Sequence, residues 1–189
     1  MEGRNRKGLR VTQGRRPPGR AERSIPICPE KTPVTFPFDP EYIGQRLREL
    51  APYSQNIIAV IQDDESIWSL LFEDEVIALA EWADEPARLV LSADIGKAPA
   101  GRVAEVHAAA LSYNTLWRES GGARIGMGGE EGDLLLIRDL DSQSVQSSEF
   151  AGILEQFADV AQWWESYVTS EEAGLPALVP GMAQLVARA

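Results

Sequence analysis

The chain has one cysteine, Cys28, and one histidine, His107, among 189 residues. A lone cysteine excludes an intrachain disulfide framework and fits a reducing compartment. One His and one Cys also cannot assemble a zinc cluster from soft ligands. They form no nucleophile–base pair either: Cys28 lies among prolines, and His107 falls on an apolar helical stripe with no orienting carboxylate at recognisable spacing. There is no apolar run long enough to span a membrane. The arginines at the start are not followed by the apolar stretch of a secretory signal. Gly8, Gly14, Pro17, Pro18 and Gly19 work against the amphipathic helix of a transit peptide. A cytoplasmic location is expected.

Two further patterns fall short of a ligand site. Gly126-Met127-Gly128-Gly129 lacks the Gly-Lys-Ser/Thr ending of a phosphate loop and sits between two strand-like runs. Asp63-Asp64-Glu65 and Glu73-Asp74-Glu75 lack EF-hand spacing and read as solvated turns. No cofactor, metal or catalytic residue is expected, which points to a binding protein rather than an enzyme.

The charge is unevenly spread. Residues 1 to 23 hold eight Arg or Lys against Glu2 and Glu22, net +6, so the overall charge of -11 leaves -17 on the remainder. A body this acidic repels phosphates, so no nucleic acid is expected on it. Residues 1–38 are rich in Arg, Gly and Pro and read as a disordered basic tail. Residues 39–169 read as one α+β domain, and 170–189 as a C-terminal extension with a short apolar piece.

Within the domain, Asp39 or Pro40 opens a helix with Tyr42, Ile43, Leu47 and Leu50 on one face, ended near Pro52. The apolar run Ile57–Ile61 fits either an extension of that helix or a lead into a sheet. Three strands are predicted over 67–72, 76–82 and 88–95, joined by short polar connections as an antiparallel meander. Trp68, Leu70 and Phe72 alternate onto one face of the first, Ile67 and Leu71 onto the other, so both faces are apolar. A helix over about 100–119 carries a broad apolar stripe and stops at Gly121-Gly122. A glycine-rich hairpin over 123–137 follows. A last amphipathic helix over about 148–168 carries Phe150, Ile153, Leu154, Phe157, Ala161, Trp164 and Tyr167 on one face.

The order helix, three strands, helix, two strands, helix resembles the class I type III secretion chaperones, the Tir chaperone-like family. The similarity runs from Asp39 to Val168. It is carried by Arg88-Leu89-Val90-Leu91-Ser92-Ala93-Asp94-Ile95-Gly96, Ala109-Ala110-Leu111-Ser112-Tyr113-Asn114, Gly121-Gly122-Ala123-Arg124-Ile125-Gly126, and Phe157 to Trp164. The resemblance implies a cytoplasmic homodimer in a Gram-negative bacterium. It implies that the dimer binds the N-terminal segment of a secreted effector in extended form, without ATP. The long basic start and the apolar end depart from the family pattern.

On this basis Trp68, Leu70 and Phe72, with Leu47 and Leu50 on the first helix, are expected to line grooves for the effector. Leu111, Tyr113, Leu116 and Trp117 are expected at the dimer interface. A different class remains open: an adaptor or regulatory domain of the same fold that binds a folded partner. An enzyme with an acid-based site is a third reading, for which no residues stand out.

Overall fold

Asp39 caps the first helix. Its Oδ1 accepts from the Tyr42 backbone N–H at 2.9 Å, and Pro40 occupies the first helical position, where its missing N–H costs nothing. In the computed structural model, which describes residues 37–50, 54, 56–128 and 132–171, this helix is α1 (Pro40–Leu50). It is followed by β1 (Ile57–Asp64), β2 (Ile67–Phe72), β3 (Ile77–Asp84), β4 (Ala87–Asp94), α2 (Val103–Asn114), β5 (Arg124–Gly128), β6 (Asp133–Leu140), α3 (Ser142–Gln146) and α4 (Phe150–Thr169). The basic tail and the C-terminal apolar piece lie outside the described residues.

The six strands form one antiparallel sheet in the order β1-β2-β3-β4-β6-β5. The class is α+β, as expected, with a meander of four strands rather than three. Ile57–Ile61 is the start of an edge strand. The register of β1 shifts between Ile57 and Ala59, which sets Ile58 apart as a bulge. That shift breaks the simple alternation by which a strand is read from sequence. Helix α2 is shorter than predicted, because the chain after Asn114 passes through successive turns before Gly121 and Gly122 take positive φ.

Register fixes which residues share a face. Trp68, Leu70 and Phe72 line up with Ala78, Ala80, Leu89, Leu91, Ala93, Leu136 and Leu140, all buried. Over this face lie α1 against β1, α2 against β5, and α4 against β4. Helix α4 buries Phe150, Leu154, Phe157, Ala161, Trp164 and Tyr167 of the stripe read from its sequence, and leaves Ile153 half-buried. Gly44 lets α1 approach closely: a Cβ there would stand 3.3 Å from the Trp68 indole nitrogen.

Candidate functional site

The other face of the sheet has no described element over it. The register places Ala59 and Ile61 of β1 on it, then Ile67, Ser69 and Leu71 of β2, and Ile77, Leu79 and Glu81 of β3. Val90 and Ser92 of β4 and Leu135 and Ile137 of β6 continue it. Ile61, Ile77 and Leu79 are 54%, 58% and 44% exposed. A contiguous aliphatic surface of this kind is a recognised mark of a protein-binding site. Its rim is polar. Arg124 Nη2 meets Asp139 Oδ1 at 3.1 Å, and Arg88 Nε lies 3.8 Å from the other carboxylate oxygen.

This geometry corrects one expectation. Leu47, Trp68, Leu70 and Phe72 are buried in the core of the single chain, with Leu70 and Leu47 at 0% exposure, and Leu50 is half-buried. Leu47, Trp68, Leu70 and Phe72 cannot line an open groove while α1 and α4 are in place, whereas Leu50 keeps part of its surface accessible. Both faces of β2 are apolar, so sequence alternation could not rank them. The choice is made by the helices, which settle on the face with the larger residues. The accessible face carries Ile67 and Leu71 instead.

A second apolar concavity of about 260 Å³ lies on the helical side, at the outer edge of the sheet. It runs between α2 and β5 and is lined by His107, Leu111, Asn114, Gly126, Met127 and Leu134. Leu111 and Met127 flank it at 69% and 61% exposure, and Trp117 just beyond α2 is 59% exposed. Of the four residues expected at a dimer interface, Leu111 and Trp117 are therefore accessible and Leu116 is half-buried. Tyr113 points the other way and is buried against Trp164, with ring centroids 5.2 Å apart and edge to face. Burial pushes its phenol pKa up, and the desolvated Arg138 guanidinium nearby has its own pKa lowered. Tyr113 is a core residue that supports α2 from behind.

His107 contributes a wall of this groove. Among the described residues no group of three or more His, Cys, Asp or Glu stands together as a metal site. No described helix is long and apolar enough to cross a membrane. What the geometry offers is two apolar surfaces on opposite sides of one sheet.

Comparison with known proteins agrees with that picture. No curated protein matches the chain. The fold is similar to a chain in the crystal structure of the ExsC-ExsE complex, with a TM-score of 0.57 and 21% identity, covering 70% of this chain and 97% of that one. The profile of the Tir chaperone protein (CesT) family matches residues 55–165, from the start of the sheet to the last turns of α4. The chain belongs to the Tir chaperone protein (CesT) family.

Proposed function

We propose that this protein is a type III secretion chaperone that binds an extended N-terminal segment of a secreted effector. It acts in the bacterial cytoplasm as a homodimer and without ATP. The observation that carries this reading is the uncovered aliphatic face of the sheet, centred on Leu71, Ile77 and Leu79. An extended segment presents side chains alternately, so every second residue can be laid on such a face. Burial contributes about 25 cal/mol per Å² of apolar surface, offset in part by the ordering of the segment. No nucleotide is needed for a step driven by burial alone. The ExsC-ExsE complex has the same fold and supports the reading by analogy of architecture.

The groove beside α2 is assigned to the dimer. Leu111, Trp117 and Met127 would meet a second copy, with Leu116 at the margin and Tyr113 holding α2 from within. On this reading a contact on the helical side leaves the open face of each copy accessible to the effector segment.

The test is co-purification from the native cytoplasm, followed by truncation of the protein that co-purifies. A single partner, lost when its N-terminal segment is deleted and lost with Leu79→Asp in the chaperone, is the expected result. Retention of a folded domain after that deletion would mean an adaptor instead.

A further inference from the structure

Glu81 is a carboxylate in the middle of the aliphatic open face. It is exposed, and it lies on β3, the third strand of six, so it does not guard an edge of the sheet. Its cross-strand neighbours on that face are Ile67 of β2 and Val90 of β4. Along β3 it follows Ile77 and Leu79, both exposed. The other carboxylates of the face have partners. Asp63 accepts from the Ser69 hydroxyl at 2.5 Å, and Asp64 from the Glu65 backbone N–H at 2.7 Å. Asp139 holds Arg124, and Arg88 leans towards the same carboxylate while its Nη1 donates to the Pro86 carbonyl. Among the described residues Glu81 alone of these four has neither an ion pair nor a side-chain hydrogen bond.

We propose that the segment bound on the open face carries a basic residue, Arg or Lys, that pairs with Glu81, and aliphatic residues two and four positions away that meet Leu79 and Ile77. This rests on the reading of that face as the effector site and names the kind of segment it takes. The spacing follows from the strand. Ile77, Leu79 and Glu81 stand about 6.8 Å apart in turn, and an extended segment lying along β3 repeats at the same interval. The charge follows from burial. A segment laid over Leu79 in this way also covers the Glu81 carboxylate between Ile67 and Val90. A carboxylate taken from water without a partner is costly, and a paired cation offsets that cost. Arg88 and Arg124 are committed to Asp139, so the cation comes with the segment. The acidic balance of the chain, -11 overall, adds a longer-range attraction for a basic segment.

The probe is a random peptide library displayed on phage and selected against the full chain at low ionic strength, where screening is weak. Parallel selections use Glu81→Arg and Glu49→Arg. The two substitutions change the net charge equally, but Glu49 is an exposed residue of α1, on the helical side of the sheet. Selected peptides should carry Leu, Ile or Val at two alternating positions and Arg or Lys at the next. Glu81→Arg should turn that basic position acidic, and Glu49→Arg should leave it basic. Fluorescence anisotropy then measures one selected peptide. Replacing its basic residue by Gln should weaken binding about fivefold, the upper range for an exposed ion pair, and should have almost no effect on binding to Glu81→Gln. Unchanged unfolding midpoints of the Glu81 variants show that the fold is intact. Peptides that lose binding with Leu79→Asp yet lack a basic residue at this spacing would overturn the proposal and leave the open-face reading standing. A basic preference unmoved by Glu81→Arg is a diffuse attraction to an acidic body and overturns it too. A library that yields no peptide sensitive to Leu79→Asp overturns the open-face reading itself, and this proposal with it.

Discussion

Asn114, the last residue of α2, forms a reciprocal pair with the backbone of Ile125 in β5. Its Nδ2 donates to the Ile125 carbonyl at 2.9 Å, and its Oδ1 accepts from the Ile125 N–H at 2.7 Å. One side chain thus satisfies both polar groups of a residue on an edge strand of the described sheet. It also fixes the spacing between α2 and β5 that forms the groove. Asn114→Leu should lower stability by about 1–3 kcal/mol, because both Ile125 groups lose their partner. Urea denaturation checks this. Asn114→Asp keeps the acceptor and loses the donor, so its loss should be intermediate.

The two faces of the sheet should answer substitution in opposite ways. Leu70→Ala removes fully buried atoms and should cost about 2–5 kcal/mol of stability. Leu79→Asp, on the open face, should change stability by less than about 0.5 kcal/mol. Only the second should abolish partner binding with the fold intact. Thermal unfolding paired with co-purification reads both. Loss of binding on Leu70→Asp would be uninformative, since a carboxylate in that core unfolds the chain.

Arg102 should act as a staple between helices. It is 5% exposed, and it pairs with Glu105 through Nη2 at 2.9 Å as well as holding the two α4 carbonyls. Its guanidinium lies 5.0 Å from the centre of the Tyr167 ring, and the Tyr167 hydroxyl donates to Glu105. Arg102→Met should lower stability, since it removes the hydrogen bonds to the Tyr167 and Ser170 carbonyls at the end of α4 and to Glu105. Arg102→Lys should rescue little, since an ammonium lacks the planar fork that reaches several acceptors. Faster hydrogen exchange in the last turn of α4, with the β2–β3 amides unchanged, is the accompanying sign.

Much of this arrangement was legible in the residues. The stripe of α4 and the limits of β2 follow from periodicity, and the Asp39-Pro40 start of α1 follows from capping chemistry. Gly121-Gly122 marked the return towards β5, and both glycines take positive φ. What escaped was the contribution of distant contacts. Ile57–Ile61 is too short and too uniformly apolar to separate strand from helix, and a bulge at Ile58 disrupts its alternation. The face of β2 that is covered depends on where α1 and α4 settle, which no local pattern encodes. Tyr113 reads as one member of a broad apolar stripe, yet its contact with Trp164 takes it into the core and leaves Leu111 outside.

The groove beside α2 makes a separate prediction about assembly. Leu111→Asp should weaken self-association by tenfold or more, since it places a charge in an apolar contact, and should leave chain stability almost unchanged because the side chain is exposed. Trp117→Ala should act in the same direction. Light scattering over a dilution series measures it. Tyr113→Ala should instead destabilise each chain by about 3–5 kcal/mol, as for other large buried aromatics. An effect of Leu111→Asp on unfolding as large as its effect on assembly would mean that the groove is filled from within the chain.

The acid limb of stability should carry a signature of Asp141. This residue caps α3, and its Oδ1 accepts from the Ser144 N–H at 2.8 Å and the Ser144 hydroxyl at 2.7 Å. The Ser144 backbone hydrogen bond, then that of its hydroxyl, holds the carboxyl below its usual range. A group whose pKa is lower when folded adds stability that is complete above its unfolded value and is lost as pH falls through the folded one. The cap should therefore be fully effective at pH 6–7 and fade below about pH 4, the ordinary aspartate value. Asp141→Ala should cost about 1 kcal/mol at neutral pH, a typical figure for a lost cap. The exposure of the side chain keeps the charge-dependent share small. The gap between the denaturation midpoints of the two proteins should narrow by that small share as the pH is lowered from 6 to 3. A constant gap would mean that Asp141 holds α3 through shape alone, with its charge playing no part.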